Sequence, residues 1–417
     1  MTTAPPAAIH RPAAVDATAP TSASSRVASI DIIRGAVMVL MAIDHVRVFA
    51  GVPAGGQGYA IFFTRWITHF CAPAFIFFAG TSAFQYGRKH DGLSRFLLTR
   101  GILLVVLELT VIRVSWTFNF DFRQYMLAGV IWVIGWCMIM MAGIVKLPLR
   151  VIAAIGLVII FGHNLLDGVA GGITQSLGND LRGILWKVGY VAFFAAPVEF
   201  SPDGPRLYVL YSILPWIGVM AAGYAFGTVF TWEPARRARF CLTIGLGAVA
   251  LFLVLRGFNL YGDPAPWSLP SPQGGGEGPQ RPALLSFLDT TKYPASLVFL
   301  LMTLGPTIAV IPMLEGARGM FARLLTTFGR VPFFFYVLHI PLIHFLALII
   351  SKVRMGTVVP WIFANHPLAS GRPPAGYQWS LGLLYLTWLA VVVILYFACR
   401  WYADVKAKSR NPLLAYL

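Results

Sequence analysis

The sequence predicts an all-α fold, a polytopic membrane bundle of about ten transmembrane helices with both termini in the cytoplasm. Three observations predict it. Of 417 residues, 58% are hydrophobic and only 12% charged. A soluble domain carries about 25% charged residues, so too little polar surface is left here to face water. Ten stretches are apolar over the roughly 20 residues that cross a bilayer: 28–50, 60–86, 95–116, 124–145, 150–169, 206–231, 238–257, 293–314, 328–351 and 380–402. Finally, Lys and Arg recur in alternate links between those stretches, as the positive-inside rule requires.

Each element follows from this frame. Residues 1–25 are Ala, Pro, Thr and Ser with no basic region leading into an apolar one. They read as a disordered cytoplasmic tail and not as a signal peptide. The transmembrane domain occupies 26–403, and 404–417 form a cytoplasmic C-terminal tail. Arg88, Lys89 and Arg95 follow the second span, Lys146 and Arg150 the fourth, Arg236, Arg237 and Arg239 the sixth, and Arg318 and Arg323 the eighth. Lys406, Lys408 and Arg410 mark the last tail. The stretch 183–197 is apolar but short, which makes it re-entrant or interfacial; an eleventh span there would invert the C-terminal half. The loops 170–205, 258–292 and 352–379 are long and exoplasmic, with a Pro/Gly-rich insert at 270–282.

Several function classes drop out. The net charge of +16 is spread among helix ends and gathers into no single face, so no nucleic-acid partner is expected. Cys71, Cys137, Cys241 and Cys399 lie in apolar stretches without shared short spacing or a neighbouring His. No metal site is expected from them, and four cysteines do not make a disulfide scaffold. P-loop, HExxH and GxSxG motifs are absent, as is a voltage-sensing Arg ladder. No internal repeat is visible, which weighs against a repeat-built transporter.

Ionisable groups inside spans are costly and are functional candidates by default. The first span holds Asp31, Arg34, Asp44, His45 and Arg47. Arg34 and His45 are separated by a turn of about 1100°, roughly 20° past three full turns, so they share one stripe about 16 Å apart. Asp31 is one turn before Arg34 and can pair with it, as an interfacial ion pair would. His69 sits mid-span before Pro73, whose missing N–H frees the His69 carbonyl and marks a kink. Glu108 and Arg113 are spaced to reach other spans rather than each other. His163 and Asp167 form an i, i+4 pair suited to local hydrogen bonding. His339 and His344 face different directions, which argues against a shared metal, and His339, before Pro341, is the candidate for the interior. Lys292 opens the eighth span, where it either neutralises an anionic substrate group or anchors the helix.

The runs Ser29-Ile-Asp31-Ile-Ile-Arg34-Gly35 and Leu40-Met-Ala-Ile-Asp44-His45-Val-Arg47 resemble the opening of the heparan-alpha-glucosaminide N-acetyltransferase catalytic-domain family, bacterial branch. That family lies within the transmembrane acyltransferase superfamily, whose first helix has Arg-Gly and then His at this spacing. Thr68-His69-Phe-Cys-Ala-Pro73, Leu214-Pro-Trp216-Ile-Gly218, Asn259-Leu-Tyr261-Gly-Asp263-Pro, Thr291-Lys292-Tyr293-Pro294 and Gly329-Arg-Val-Pro followed by Tyr336-Val-Leu-His339 extend the resemblance over about 26–350. There is one departure. The eukaryotic lysosomal enzyme carries its acetyl-transfer histidine in the first luminal loop, whereas the loop Gly51 to Gly58 here has none. His45 stands where that enzyme has a polar amide.

The resemblance implies an acyltransferase. Acetyl-CoA or another acyl-CoA would be co-substrate from the cytoplasm, with no permanently bound cofactor. An exoplasmic glycan or amino sugar would be the acceptor, and the chain would sit multi-pass in the cell inner membrane among its lipids. Whether it forms a homodimer is left open. His45, His69 and Asp44 are then the catalytic candidates: a neutral His takes the acceptor's proton, and a carboxylate fixes its tautomer. An acyl-His intermediate is the other route. Arg34, Arg88, Lys89 and Arg100 are candidates for donor binding, and Lys292 and His339 for the acceptor side or the oxyanion. Two other classes compete. One is a transporter or exporter of a small hydrophilic solute that uses the same buried groups as a proton relay. The other is a non-catalytic assembly partner.

Overall fold

The computed structural model describes residues 28–55, 58–123, 125–191, 197–200, 204–268, 281–369 and 371–409. The expected N-terminal tail, most of the 270–282 insert and the end of the C-terminal tail lie outside the described residues.

Helices form at all ten apolar stretches: α1 (Ala28–Phe49), α2 (Tyr59–Gly87), α3 (93–117), α4 (Val130–Ile144), α5 (Leu149–Leu177), α7 (Ile213–Thr231), α8 (Pro234–Gly257), α10 (Leu297–Glu315), α12 (Pro332–Met355) and α14 (Leu381–Lys408). Shorter helices lie between them: α6 (Leu181–Gly189), α9 (Ala283–Leu288), α11 (Met320–Arg330) and α13 (Trp361–Ala364). Among the described residues, seven helices (α2, α5, α7, α8, α10, α12 and α14) are long and apolar enough to cross a membrane. The chain is a polytopic helical membrane protein. Of the other three, α4 has 15 residues, whereas α1 and α3 carry the charged groups. Those two helices are where the polar interior is built.

Helix starts follow ordinary capping. Ser296 and Ser380 accept from Phe299 N and Leu383 N at the starts of α10 and α14, and Glu233 accepts from Arg236 N beside Pro234 at the start of α8. Some expected boundaries shift. The expected spans 124–145 and 206–231 each open on a strand. β1 (Met126–Ala128) pairs in parallel with β3 (Arg206–Val209), which pairs antiparallel with β2 (Val198–Glu199). The reason is the alternation at 206–209, where Leu207 and Val209 are buried and Arg206 is exposed. α5 runs on through a tight turn at His163–Leu166 to Leu177, well into the expected 170–205 loop. The ninth stretch breaks at Val331, which leaves helical backbone before Pro332. The last helix continues to Lys408, and its basic final turn suits the carbonyl end of a helix.

Without a hydrophobic drive between helices in lipid, packing depends on small residues that let backbones approach. The motif glycines serve this purpose. A Cβ on Gly35 would meet Leu325 O at 1.8 Å, and one on Gly329 would meet Asp31 O at 1.8 Å. α1 and α11 therefore touch backbone to backbone at two points, each fixed by a glycine. Gly80 and Gly223 lock α2 to α7 in the same way. α1 runs through the middle of the bundle, against α2, α11, α12 and α14.

Two arginines anchor the connections. Arg113 donates to Tyr125 O at 2.9 Å, Asn119 Oδ1 at 2.8 Å and Thr117 Oγ1 at 3.3 Å, and also to the carbonyls of Asn119 and Asp121. It is therefore a loop anchor and reaches no other span. Arg256 donates to Asp263 Oδ2 at 3.0 Å and to the carbonyls of Ala265, Ser286, Phe287 and Asp289. Asp263 in turn accepts from Thr291 N at 3.2 Å and Thr291 Oγ1 at 2.6 Å. This chain of contacts fixes the position of Lys292.

Candidate functional site

Two cavities run into the bundle and share a wall. The first, of about 450 Å³, is lined by Asp44, His45, Arg47, Arg65, Glu108 and Lys292, with Trp116 and Tyr211. The second, of about 500 Å³, is lined by Asp31, Arg34, Lys89, Arg100, Arg330 and Lys406. Phe75, Val130 and Tyr336 line both. The stripe on α1 thus opens onto one cavity at His45 and the other at Arg34.

His45 pairs with a histidine from α12. Its Nδ1 lies 2.5 Å from His339 Nε2, and the two rings stack with centroids 4.8 Å apart. Trp116 meets His45 edge-on at 5.1 Å. The tautomers follow from the chain of partners. His339 Nδ1 is 2.6 Å from the Tyr336 carbonyl, which only accepts, so Nδ1 carries the proton. In the neutral ring Nε2 is then an acceptor, and His45 Nδ1–H donates to it. That leaves the lone pair on His45 Nε2, the form needed of a general base.

Asp44 makes no hydrogen bond to His45 among the described residues. Its carboxylate accepts from Arg47 Nε at 2.7 Å, and Arg47 also donates to Val52 O at 2.7 Å. Adjacent helical residues diverge by about 100°, so the tautomer of His45 is set by His339 instead. His69 does not line the His45 cavity. The tight turn Ile67–Phe70 presents Thr68 to that cavity and turns His69 into an adjoining pocket of about 330 Å³ with Arg65, Arg281 and Asp289. There His69 meets Phe299 edge-on at 5.6 Å, and neither ring nitrogen has a hydrogen-bond partner among the described residues.

Of the expected donor-binding groups, Arg34, Lys89 and Arg100 line the second cavity, whereas Arg88 is exposed and lines neither. Arg34 lies 3.8 Å from Asp31 Oδ1 and donates to Ser82 Oγ at 3.5 Å. Lys292 lines the His45 cavity with its Nζ 5.3 Å from the Tyr293 ring and 6.0 Å from that of Tyr211. His344 contacts Ser115 O and stacks on Phe118. His163 bonds the carbonyls of Ile159 and Ala295, and Asp167 accepts from Asn164 and Tyr190; this cluster packs a corner.

Sequence reasoning passed over four groups. Arg65 lies inside the second apolar run, where the cost that singles out His69 applies equally. Arg330 and Lys406 add to the basic second cavity. Tyr336 stands at the shared wall and donates to Glu108 Oε2 at 3.5 Å. Glu108 itself reaches the start of α4, where the N–H groups of Gly129 and Ile131 hold it.

Pro367, Leu368 and Ala369 also line the His45 cavity. Next to them, in the loop after α13, His366 stacks on Tyr125 with ring centroids 3.6 Å apart. Burial, with Arg113 close by, pushes His366 down to about 4. An open loop would take a proton near the ordinary value of 6.5, while the closed loop refuses it until about 4. Closure is therefore fully stable above 6.5 and weakens as pH falls through that window. Hydrogen exchange over 361–369, corrected for its intrinsic pH dependence, should be faster at about pH 5 than at about pH 7.5, and His366→Phe should abolish the difference.

The membrane bundle thus holds two polar cavities that share a wall, with the His45–His339 pair at one of them. A family model described as "Heparan-alpha-glucosaminide N-acetyltransferase, catalytic" matches residues 26–261, more than half of the chain. The chain belongs to that family, and its class is that of a membrane acetyltransferase. No curated protein matches the sequence.

Proposed function

We propose that the protein moves an acetyl or other acyl group from cytoplasmic acyl-CoA to a hydroxyl or amine of an exoplasmic glycan or amino sugar. In this reading all ten helices cross the inner membrane, both termini are cytoplasmic, and the Arg34 cavity faces the cytoplasm. The observation that carries it is the wall of Phe75, Val130 and Tyr336 common to the basic Arg34 cavity and the His45 cavity. Arg34, Lys89, Arg100, Arg330 and Lys406 suit the phosphates of a CoA, and the thin pantetheine arm would lead its thioester past Tyr336 to His45.

There the acceptor's O–H or N–H gives its proton to His45 Nε2 while its heteroatom bonds to the thioester carbonyl carbon. The carbonyl electron pair moves to oxygen, giving the tetrahedral oxyanion. Collapse breaks the C–S bond, and the imidazolium returns the proton to the departing CoA thiolate. Direct transfer needs no acyl-His intermediate.

The test is labelled acetyl-CoA supplied to sealed inside-out vesicles. Label in a luminal glycan or amino sugar supports the reading, and solute movement without any use of acetyl-CoA contradicts it. Arg34→Gln should raise the KM for acetyl-CoA about tenfold with little change in kcat, the signature of lost donor binding. The thermal shift given by acetyl-CoA, about 2.7 kcal/mol at 100 times Kd in the parent protein, should shrink to match.

A further inference from the structure

We infer that the acceptor carries an anionic group, a carboxylate or a phosphate, which Lys292 and Arg65 hold in the His45 cavity; this rests on the acyl-transfer reading for the term "acceptor". The charges lining that cavity are Asp44, Arg47, Arg65, Glu108 and Lys292. Asp44 and Arg47 satisfy each other at 2.7 Å. Glu108 is held by the Tyr336 hydroxyl and two backbone N–H groups. Two cations are left. Neither Arg65 nor Lys292 forms an ion pair with any described residue. In the pocket that shares Arg65, Asp289 is already engaged by Arg281 at 2.6 Å.

Lys292 is only 9% exposed; its ammonium lies over the faces of Tyr293 and Tyr211 and within reach of the field of Asp44, whose carboxylate is bonded to Arg47. Burying a cation without an ion pair of its own is costly, yet the fold secures this one. Thr291 is tied through Asp263 to Arg256, whose remaining donors hold the 286–289 segment. Arg65 comes from a separate element, α2. A guanidinium and an ammonium from separate elements, in the same chamber as the basic nitrogen of His45, suit an anion beside the group to be acylated. Beside a neutral sugar, Arg47, Arg65 and Lys292 would share the single carboxylate of Asp44.

The experiment titrates the purified full-length protein in nanodiscs with glucose, glucuronate and glucose 6-phosphate, read by calorimetry. At least one anionic sugar should bind about tenfold more tightly than glucose, and which of the two does so separates carboxylate from phosphate. Lys292→Gln and Arg65→Gln should each remove most of that preference, while Lys292→Arg and Arg65→Lys keep it. Acetyl-CoA binding in the Arg34 cavity reports that each variant is folded. Equal affinity for all three sugars, or a preference that survives both Gln substitutions, overturns the inference. Tight anion binding in a parent protein that ignores acetyl-CoA would leave this site standing and remove the transferase reading.

Discussion

Replacing His45 by alanine is expected to lower acetyl transfer by roughly 10²- to 10⁴-fold, the usual worth of a positioned general base, with the bundle still folded. Its ring is held by stacking on His339 and an edge contact with Trp116, and no backbone group among the described residues hydrogen-bonds to it. The loss should fall on kcat, since neither the Arg34 cavity nor the Lys292–Arg65 pair uses His45. His339→Gln serves as a graded companion: a positioning residue is removed and the base is kept, so the defect should be smaller and the acid limb of the pH–rate profile should move. Initial rates, with thermal unfolding measured alongside, decide the matter. A His45→Ala protein that transfers at the parental rate would remove the proposed mechanism.

The largest effect on stability is expected from Gly329→Ala. The new Cβ would stand 1.8 Å from Asp31 O, and both sides of that contact are helix backbone, so no rotamer relieves it. α1 and α11 must part, at a cost of about 3 kcal/mol, the upper end of ordinary overpacking. Asp31, Arg34 and Arg330 move with those helices, so acyl-CoA binding should weaken in step. Gly143→Ala is the control: its Cβ would meet nothing within 4 Å. Equal unfolding midpoints for the two variants would show that the α1–α11 contact is slack.

Much of this architecture was legible from apolar length and from where charge interrupts it. Arg34 and His45 could be assigned to one stripe because both lie on a single helix, where spacing translates directly into direction. What partners each side chain finds could not be read the same way. The His45–His339 pair joins residues 294 positions apart, and only the packing of α12 against α1 creates it. Asp44 was the reasonable orienter for His45 by proximity in sequence, but Arg47, three residues on, takes it first. His69 leaves the His45 cavity because a tight turn replaces α-helical geometry over Ile67–Phe70. Strands β1 and β3 hid inside apolar runs, where period-two alternation is too short to outweigh length.

The chain of imidazoles has a blind end. Beyond His339 lies a peptide oxygen, which has no hydrogen to release and is far too weak a base to keep one. A proton gained at His45 has no onward route through this pair, so it must leave by the face through which it arrived. Under the proposed chemistry each cycle is then closed in protons: the acceptor's hydrogen departs on the thiol. Turnover would be electrically silent, and collapsing the membrane voltage would leave its rate unaltered.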